Sequence, residues 1–323
     1  MNKKVVFLGM GGTIAGRSES AYDNVGYKAG QIGLAQLLAA IPSLGSLLAG
    51  QGFESEQVAQ CDSKDMGHTQ WHQLASRAYH HLAQPDVGGL VVTHGTDTLE
   101  ETAFFLSCVL PASLLATKAV VLTSAMRPAS SLAPDGPQNL LDAVAVALSH
   151  DSSGVCTVCA GKIHSARDVQ KVHPYRIDAF DSGDTGPLGF VEEGRVRWVH
   201  RRVNDSLELQ GFPLIQLTES TWPRVEIVMS HAGTTGAIVR AMCGVFEADP
   251  LRGLVVAGTG NGTVHADLLD ALRQAQTQNI RIMLSTRCSQ GCVVAGPTIS
   301  EFESANGLSP VKARIALMLS LML

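Results

Sequence analysis

GLVVTHGTDTLEETAFFL, residues 89–106, starts as a strand and finishes as a helix. Residues 89–92 are apolar and β-branched at their centre, as a core strand requires. Residues 99–104 read as the opening turns of a helix. Between them, residues 93–98 set hydroxyls, an imidazole and a carboxylate around Gly95. A strand that runs directly into a helix is half of a βαβ unit, so this stretch predicts a parallel sheet. In open α/β sheets, ligands bind beyond the carboxyl ends of the strands, where helix N-termini meet them. Thr96 and Asp97 stand at that place.

The alternation continues in both directions. Residues 5–8 form an apolar strand before a Gly-rich turn, residues 34–48 carry apolar side chains at helical spacing, and residues 71–82 read as helix. Strands follow at 120–122 and 155–160, with a helix at 139–148 between them. After Gly194 the rhythm breaks. Residues 195–212 are charged and irregular, and residues 213–223 scatter polar groups between two prolines. Beyond them come strands at 225–228, 253–257 and 280–285, with helices at 235–243, 266–276 and from Pro310. The expected fold class is α/β, a parallel-sheet N-terminal domain over 1–202, a linker over 203–222, and a smaller α/β C-terminal domain over 223–323.

Composition narrows the partners. The 323 residues are 45% hydrophobic and 16% charged, with a formal net charge of -5, so no basic footprint for nucleic acid is present. No apolar run approaches the ~18 residues of a membrane span. The start, MNKKVVFLGMGG, leads straight into the first strand, which argues against an export signal and for the cytoplasm. Seven cysteines, an odd number, fit free thiols in a reducing compartment. Cys156 and Cys159 form a CxxC inside a core strand, without a second pair to complete a zinc site. His68 and His72 have i, i+4 spacing but lack a catalytic glutamate and a third ligand, so no metal is expected.

GMGGTIAG, residues 9–16, has Ile14 where a dinucleotide fingerprint needs glycine, so no nucleotide cofactor is expected. What it does offer is a strand end stripped of side chains next to the hydroxyl of Thr13. Bare backbone N–H groups suit a developing oxyanion, and a hydroxyl beside them suits attack on a carbonyl. A hydroxyl nucleophile needs a base. Thr96, Asp97 and Lys171 together make a chemically sensible Thr–Lys–Asp relay, with Lys171 in the polar segment after strand 155–160. His94 reads as a structural hydrogen-bonder rather than a second base.

These residues also carry a resemblance. GGTIAG at Gly11, DSKDM at Asp62, THGTDTLEETAFFL at Thr93, SAMRP at Ser124, PDGPQNL at Pro134, RDVQK at Arg167, GPLGF at Gly186, GNG at Gly260 and SPVKAR at Ser309 resemble the bacterial-type L-asparaginase family. The matches run in the family's order from residue 4 to about 318. The resemblance implies hydrolysis of asparagine, with glutamine as a second amide, without cofactor. A non-catalytic binder of acidic amino acids is the alternative of a different class.

Carried over residue by residue, the resemblance makes Thr13 the nucleophile that forms an acyl-enzyme ester. Tyr27, in a loop with Gly16, Gly26, Gly30 and Gly33, would close over the substrate and assist it. Thr96, Lys171 and Asp97 would be the second triad, and amides of Gly12 and Thr96 would form the oxyanion hole. Ser63 and Asp97 would hold the substrate α-carboxylate and α-ammonium, and Ala125 of SAMRP would line the substrate site. Asn261 would reach the site of a neighbouring subunit, so the chain is expected to form a dimer or tetramer with shared sites.

Two departures bear on binding. Lys64 stands where the family often has glutamine near the ammonium, and residues 288–307 offer no glutamate to align with the cross-subunit carboxylate. Both changes are expected to raise KM, that of Lys64 unless its ammonium points to solvent. Met10, where the family often has threonine, is expected to alter packing rather than chemistry.

Overall fold

The computed structural model describes residues 3–200, 222–244, 249–294, 296 and 301–323. The chain divides into two compact units, Met1–Ile215 and Gln216–Leu323. Residues 203–221 of the expected linker lie outside the described residues.

In the first unit, strand β1 (Lys4–Gly11) lies between β2 (Phe53–Cys61) and β3 (Val87–Thr93), and β4 (Ala119–Thr123) and β5 (Gly154–Cys159) follow on the β3 side. All five are parallel. Val5, Val6, Phe7 and Leu8 are wholly buried because a central parallel strand is covered on both faces. Val5, Phe7, Val91 and Val121 pack with helices α1 (Leu34–Ala39), α2 (Leu44–Leu48) and α6 (Gly136–Leu148). The alternate residues Val6, Leu8, Leu90 and Val92 are equally buried. Helices α3 (His68–Leu82) and α4 (Leu99–Val109) also pack on the sheet, and α5 (Ala112–Leu115) leads into β4. The apolar stretch 34–48 is two helices rather than one because Pro42 cannot continue the first.

The sheet departs from the wholly parallel expectation beyond β5. Strand β6 (Lys162–Ser165) folds back antiparallel on β5, β9 (Gly189–Glu192) pairs with β6, and β10 (Arg195–Trp198) pairs with β9. The start of the stretch read as irregular is therefore an edge strand. Its turn places Glu193 at φ 49° and Gly194 at φ 71°, the two positive φ values that a two-residue hairpin favours. Between β6 and β9 the chain makes a short antiparallel ribbon, β7 (Gln170–Lys171) with β8 (Phe180–Asp181).

The second unit holds a parallel sheet of β11 (Arg224–Met229), β12 (Leu251–Gly258), β13 (Arg281–Thr286) and β14 (Glu303–Ser304). Helix α7 (Ala237–Gly244) contributes Val239, and α8 (Ala266–Thr277) contributes Leu268 and Leu272, to a core with Leu254, Val256 and Leu284. Helix α9 (Pro310–Ser320) packs on the same sheet.

Candidate active site

Strands β1, β2 and β3 end side by side, and missing side chains let their ends touch. Gly12 has φ +80°, and a Cβ on it would lie 2.3 Å from Gly95 Cα. A Cβ on Gly95 would lie 2.4 Å from the Oγ of Ser63, just beyond β2. Only glycine fits contacts this close. Thr13 and Thr96 each follow one residue after the touching glycines, so the two hydroxyl residues enter one crevice at the carboxyl edge of the sheet.

The Thr13 Oγ1 lies 2.6 Å from the hydroxyl of Tyr27. Tyr27 arrives on a loop closed by paired backbone hydrogen bonds between Arg17 and Lys28 at 3.0 and 2.9 Å. The Asp23 carboxylate accepts the amides of Val25 and Gly26 at 2.9 and 2.7 Å, which fixes the bend before Tyr27. Gly16 makes room for the ring, since a Cβ there would lie 2.8 Å from Tyr27 Cδ2. Burial pushes the Tyr27 phenol above its usual range, the hydrogen bond to Thr13 opposes this, and the charges of Asp97 and Asp62 add to it. The phenol is therefore protonated near neutral pH.

Lys171 Nζ donates to Thr96 Oγ1 at 2.9 Å and to Asp97 Oδ1 at 2.6 Å. The β7–β8 ribbon thus brings the three side chains named from sequence within hydrogen-bond distance, across about 75 residues of chain. A turn in which Ser165 Oγ donates to Asp168 at 2.7 Å leads into that ribbon. Ser63 accepts the Asp97 amide at 3.2 Å, while its carbonyl accepts the Thr98 hydroxyl at 2.8 Å. The Ser63 hydroxyl hydrogen has no acceptor among the described residues and stays available to an anion.

The remaining sequence-predicted residues fare differently. The Gly12 amide donates to the Cys61 carbonyl at 2.9 Å, so it is already used and does not serve the oxyanion hole. The Gly12 carbonyl accepts the amides of Ala15 and Gly30 at 3.2 and 3.1 Å. The amides of Thr13 and Thr96 have no hydrogen-bond partner among the described residues. Ala125 is buried with Ile14 and Ala15, the two residues that follow Thr13. Asn261 uses its side chain on the Val294 backbone, donating at 3.0 Å and accepting at 2.7 Å. Glu301 pairs with Arg273 at 2.7 Å and Glu303 with Arg281 at 2.6 Å, so each acid is already engaged. Met10 is buried.

Lys64 does not behave as its position suggested. Its ammonium is exposed and held by Asp65 at 2.7 Å and Asp62 at 3.1 Å. Lys64→Gln is therefore expected to leave KM for the amide substrate within about twofold, because an exposed ammonium already paired with two carboxylates is screened by them and by solvent. A KM that falls tenfold in steady-state kinetics would place the lysine charge at the substrate after all.

Sequence reading missed a supporting pair. Asp135 accepts the amides of Met126 and Arg127 at 2.9 and 3.0 Å. Asn139 donates to the Ser124 carbonyl at 2.9 Å and accepts the Ala160 amide at 2.9 Å. Together they fix the SAMRP turn. The signal was present in PDGPQNL, where an Asp and a Pro open a helix. All seven cysteines are free. Burial pushes the Cys108 and Cys159 thiols up to about 12, which suits packing rather than reactivity.

Comparison with known proteins completes the description. The family described as "Asparaginase, N-terminal" matches residues 4–204, and "Glutaminase/Asparaginase C-terminal domain" matches residues 224–323. A "Glutaminase-asparaginase" of Pseudomonas fluorescens biotype A is 35% identical over 98% of this chain and 86% of its own length. "L-asparaginase 2" of Escherichia coli is 32% identical over 98% of this chain and 88% of its own. The crystal structure of a "Probable Cytoplasmic L-asparaginase" from Campylobacter jejuni superposes with a TM-score of 0.89 at 34% identity, covering 99% of this chain and 95% of that one.

Proposed function

The chain belongs to the asparaginase family of amide hydrolases, and from that premise we propose how its residues turn asparagine into aspartate and ammonia. The observation that carries the reading is the meeting of two hydroxyl systems at adjacent strand ends, Thr13 with Tyr27 and Thr96 with Lys171 and Asp97.

Thr13 Oγ attacks the side-chain amide carbon. Its proton passes to the Tyr27 hydroxyl, which remains a phenol and so relays rather than stores a proton, and a proton reaches the departing nitrogen as ammonia. Developing negative charge on the amide oxygen is met by the free amides of Thr13 and Thr96. Water then cleaves the Thr13 ester, assisted by the Thr96–Lys171–Asp97 relay, releasing aspartate and restoring the hydroxyl. Ser63 offers a donor to the substrate α-carboxylate, and Asp97 accepts from the α-ammonium. No cofactor or metal enters the scheme.

Asn261 sits on a loop with Gly260 and Gly262 at φ +47° and +76°, its side chain held by the Val294 backbone with one amide hydrogen left over, and we assign that hydrogen to the site of a neighbouring copy, so that the proposed active form is a homodimer or homotetramer. The cytoplasm fits seven free thiols and the Campylobacter likeness, although a relative in Haemophilus influenzae is described as periplasmic. Among the described residues no helix is long and apolar enough to cross a membrane. Glutamine is kept as a second substrate because relatives are described as glutaminase-asparaginases.

An ammonia-release assay on asparagine and glutamine, with and without EDTA, tests the proposal. Release from asparagine is expected to be unchanged by chelator, with a lower kcat/KM for glutamine. No release from either amide would leave only the binding-protein reading.

A further inference from the structure

His94 is fully buried, yet it lies one residue from the touching glycine and two from Thr96. Its Nδ1 is 2.8 Å from the Gly95 carbonyl oxygen. A carbonyl only accepts, so Nδ1 carries the hydrogen. Burial lowers the imidazole to about 4, so near neutral pH the ring is uncharged and Nδ1–H is its one donor. Nε2 is then a bare acceptor with no partner among the described residues. The ring thus has neither an accessible nitrogen nor a free proton for acid–base work.

The Gly95 carbonyl and the Thr96 N–H belong to one peptide group. With no cis peptide bond among the described residues, the two point in opposite directions across a rigid plane. Holding the carbonyl against the buried ring therefore turns the Thr96 N–H outward to the crevice. The first strand end has a matching arrangement made from backbone alone. There the Gly12 carbonyl is held by the amides of Gly30 and Ala15, which leaves the Thr13 N–H facing away. No backbone amide among the described residues reaches the Gly95 carbonyl, so the His94 ring supplies what Gly30 and Ala15 supply to Gly12.

We propose that His94 is a positioning residue for the oxyanion hole: its Nδ1–H locks the Gly95–Thr96 peptide and aims the Thr96 amide at the developing negative charge. This rests on the acyl-transfer reading above. A hole that is misaimed, rather than missing a donor, is expected to lose about tenfold in kcat, less than the roughly 100-fold cost of losing a donor outright. Ground-state binding, which uses Ser63 and Asp97, is expected to change little.

The test compares two amide side chains that differ in where they place a donor. The nitrogen of Asn falls near the Nδ1 position of His, whereas that of Gln falls near Nε2. His94→Gln and His94→Ala are expected to lose about tenfold in kcat, with KM for asparagine and Kd for aspartate within about twofold. His94→Asn is expected to recover most of the wild-type kcat. If His94→Gln fails to fold, the Ala and Asn variants carry the same comparison, with thermal melting to confirm that both are native. Equal kcat for the folded Asn and Ala variants, or losses that appear in KM and aspartate binding instead, would overturn the proposal. Failure of the underlying mechanism would look different, because wild-type protein would then release no ammonia.

Discussion

Thr13→Ala is expected to lower kcat for asparagine at least about a thousand-fold, with KM changing only a few-fold. In the proposed mechanism the hydroxyl that is lost is the group that forms the ester, and no water can take its place with the same alignment. Structural damage is expected to be small. Thr13 opens a 3-10 turn, Thr13–Ala15, and among the described residues its side-chain oxygen has one partner, Tyr27, at 2.6 Å. Alanine keeps the backbone and removes one hydrogen bond worth about 1 kcal/mol. Thr96 is the rival nucleophile, but its Oγ1 already accepts from Lys171 at 2.9 Å. Acid quenching during turnover, followed by peptide mass mapping, should find the acyl group on the fragment containing Thr13 and none on that containing Thr96. Thr13→Ser, which keeps a hydroxyl, should retain measurable turnover. If Thr13→Ala stays within tenfold of wild-type kcat, the nucleophile has been wrongly assigned.

The strands that position this chemistry were legible because they are buried on both faces. An apolar run such as Val5 to Leu8 admits few other readings when a Gly-rich turn follows. The relay was legible as chemistry but not as contact, since Lys171 sits on a two-residue strand with no periodicity of its own. Its place depends on the pairing with Phe180, a tertiary event. The antiparallel edge was missed for a similar reason. Residues 195–198, RVRW, alternate charged and apolar side chains, and the charge obscured the strand. Two expectations turned on atoms that a sequence does not display. Whether the Gly12 amide is free depends on Cys61, about 50 residues away, and whether Lys64 faces substrate depends on how Asp62 and Asp65 turn.

Gly12→Ala is expected to cost about 100-fold or more in kcat and several kcal/mol in stability, although alanine adds only a methyl group. Gly12 combines φ +80° with ψ -170°, a region of backbone space that is essentially restricted to glycine. The added Cβ would also meet Gly95 Cα at 2.3 Å and Gly95 N at 2.4 Å. Those are backbone atoms of a neighbouring strand end, which cannot rotate aside as a side chain can. Ordinary contact would require the ends of β1 and β3 to part by on the order of 1 Å, and that distance separates the Thr13 and Thr96 amides on which the oxyanion depends. Gly95→Ala provides the contrast. Its nearest obstacles are the Ser63 Oγ at 2.4 Å, which can turn away, and the Ser63 Cβ at 2.7 Å, which moves only with the Ser63 backbone, so the displacement falls first on Ser63, with Gly12 Cα further off at 3.1 Å. Because Ser63 is assigned to the substrate carboxylate, Gly95→Ala should act more on KM than Gly12→Ala does. Thermal melting and steady-state kinetics on both variants decide the matter. A Gly12→Ala protein with wild-type melting and kcat within tenfold would mean that the strand ends are not held at contact distance, and that the two amides do not act as one hole.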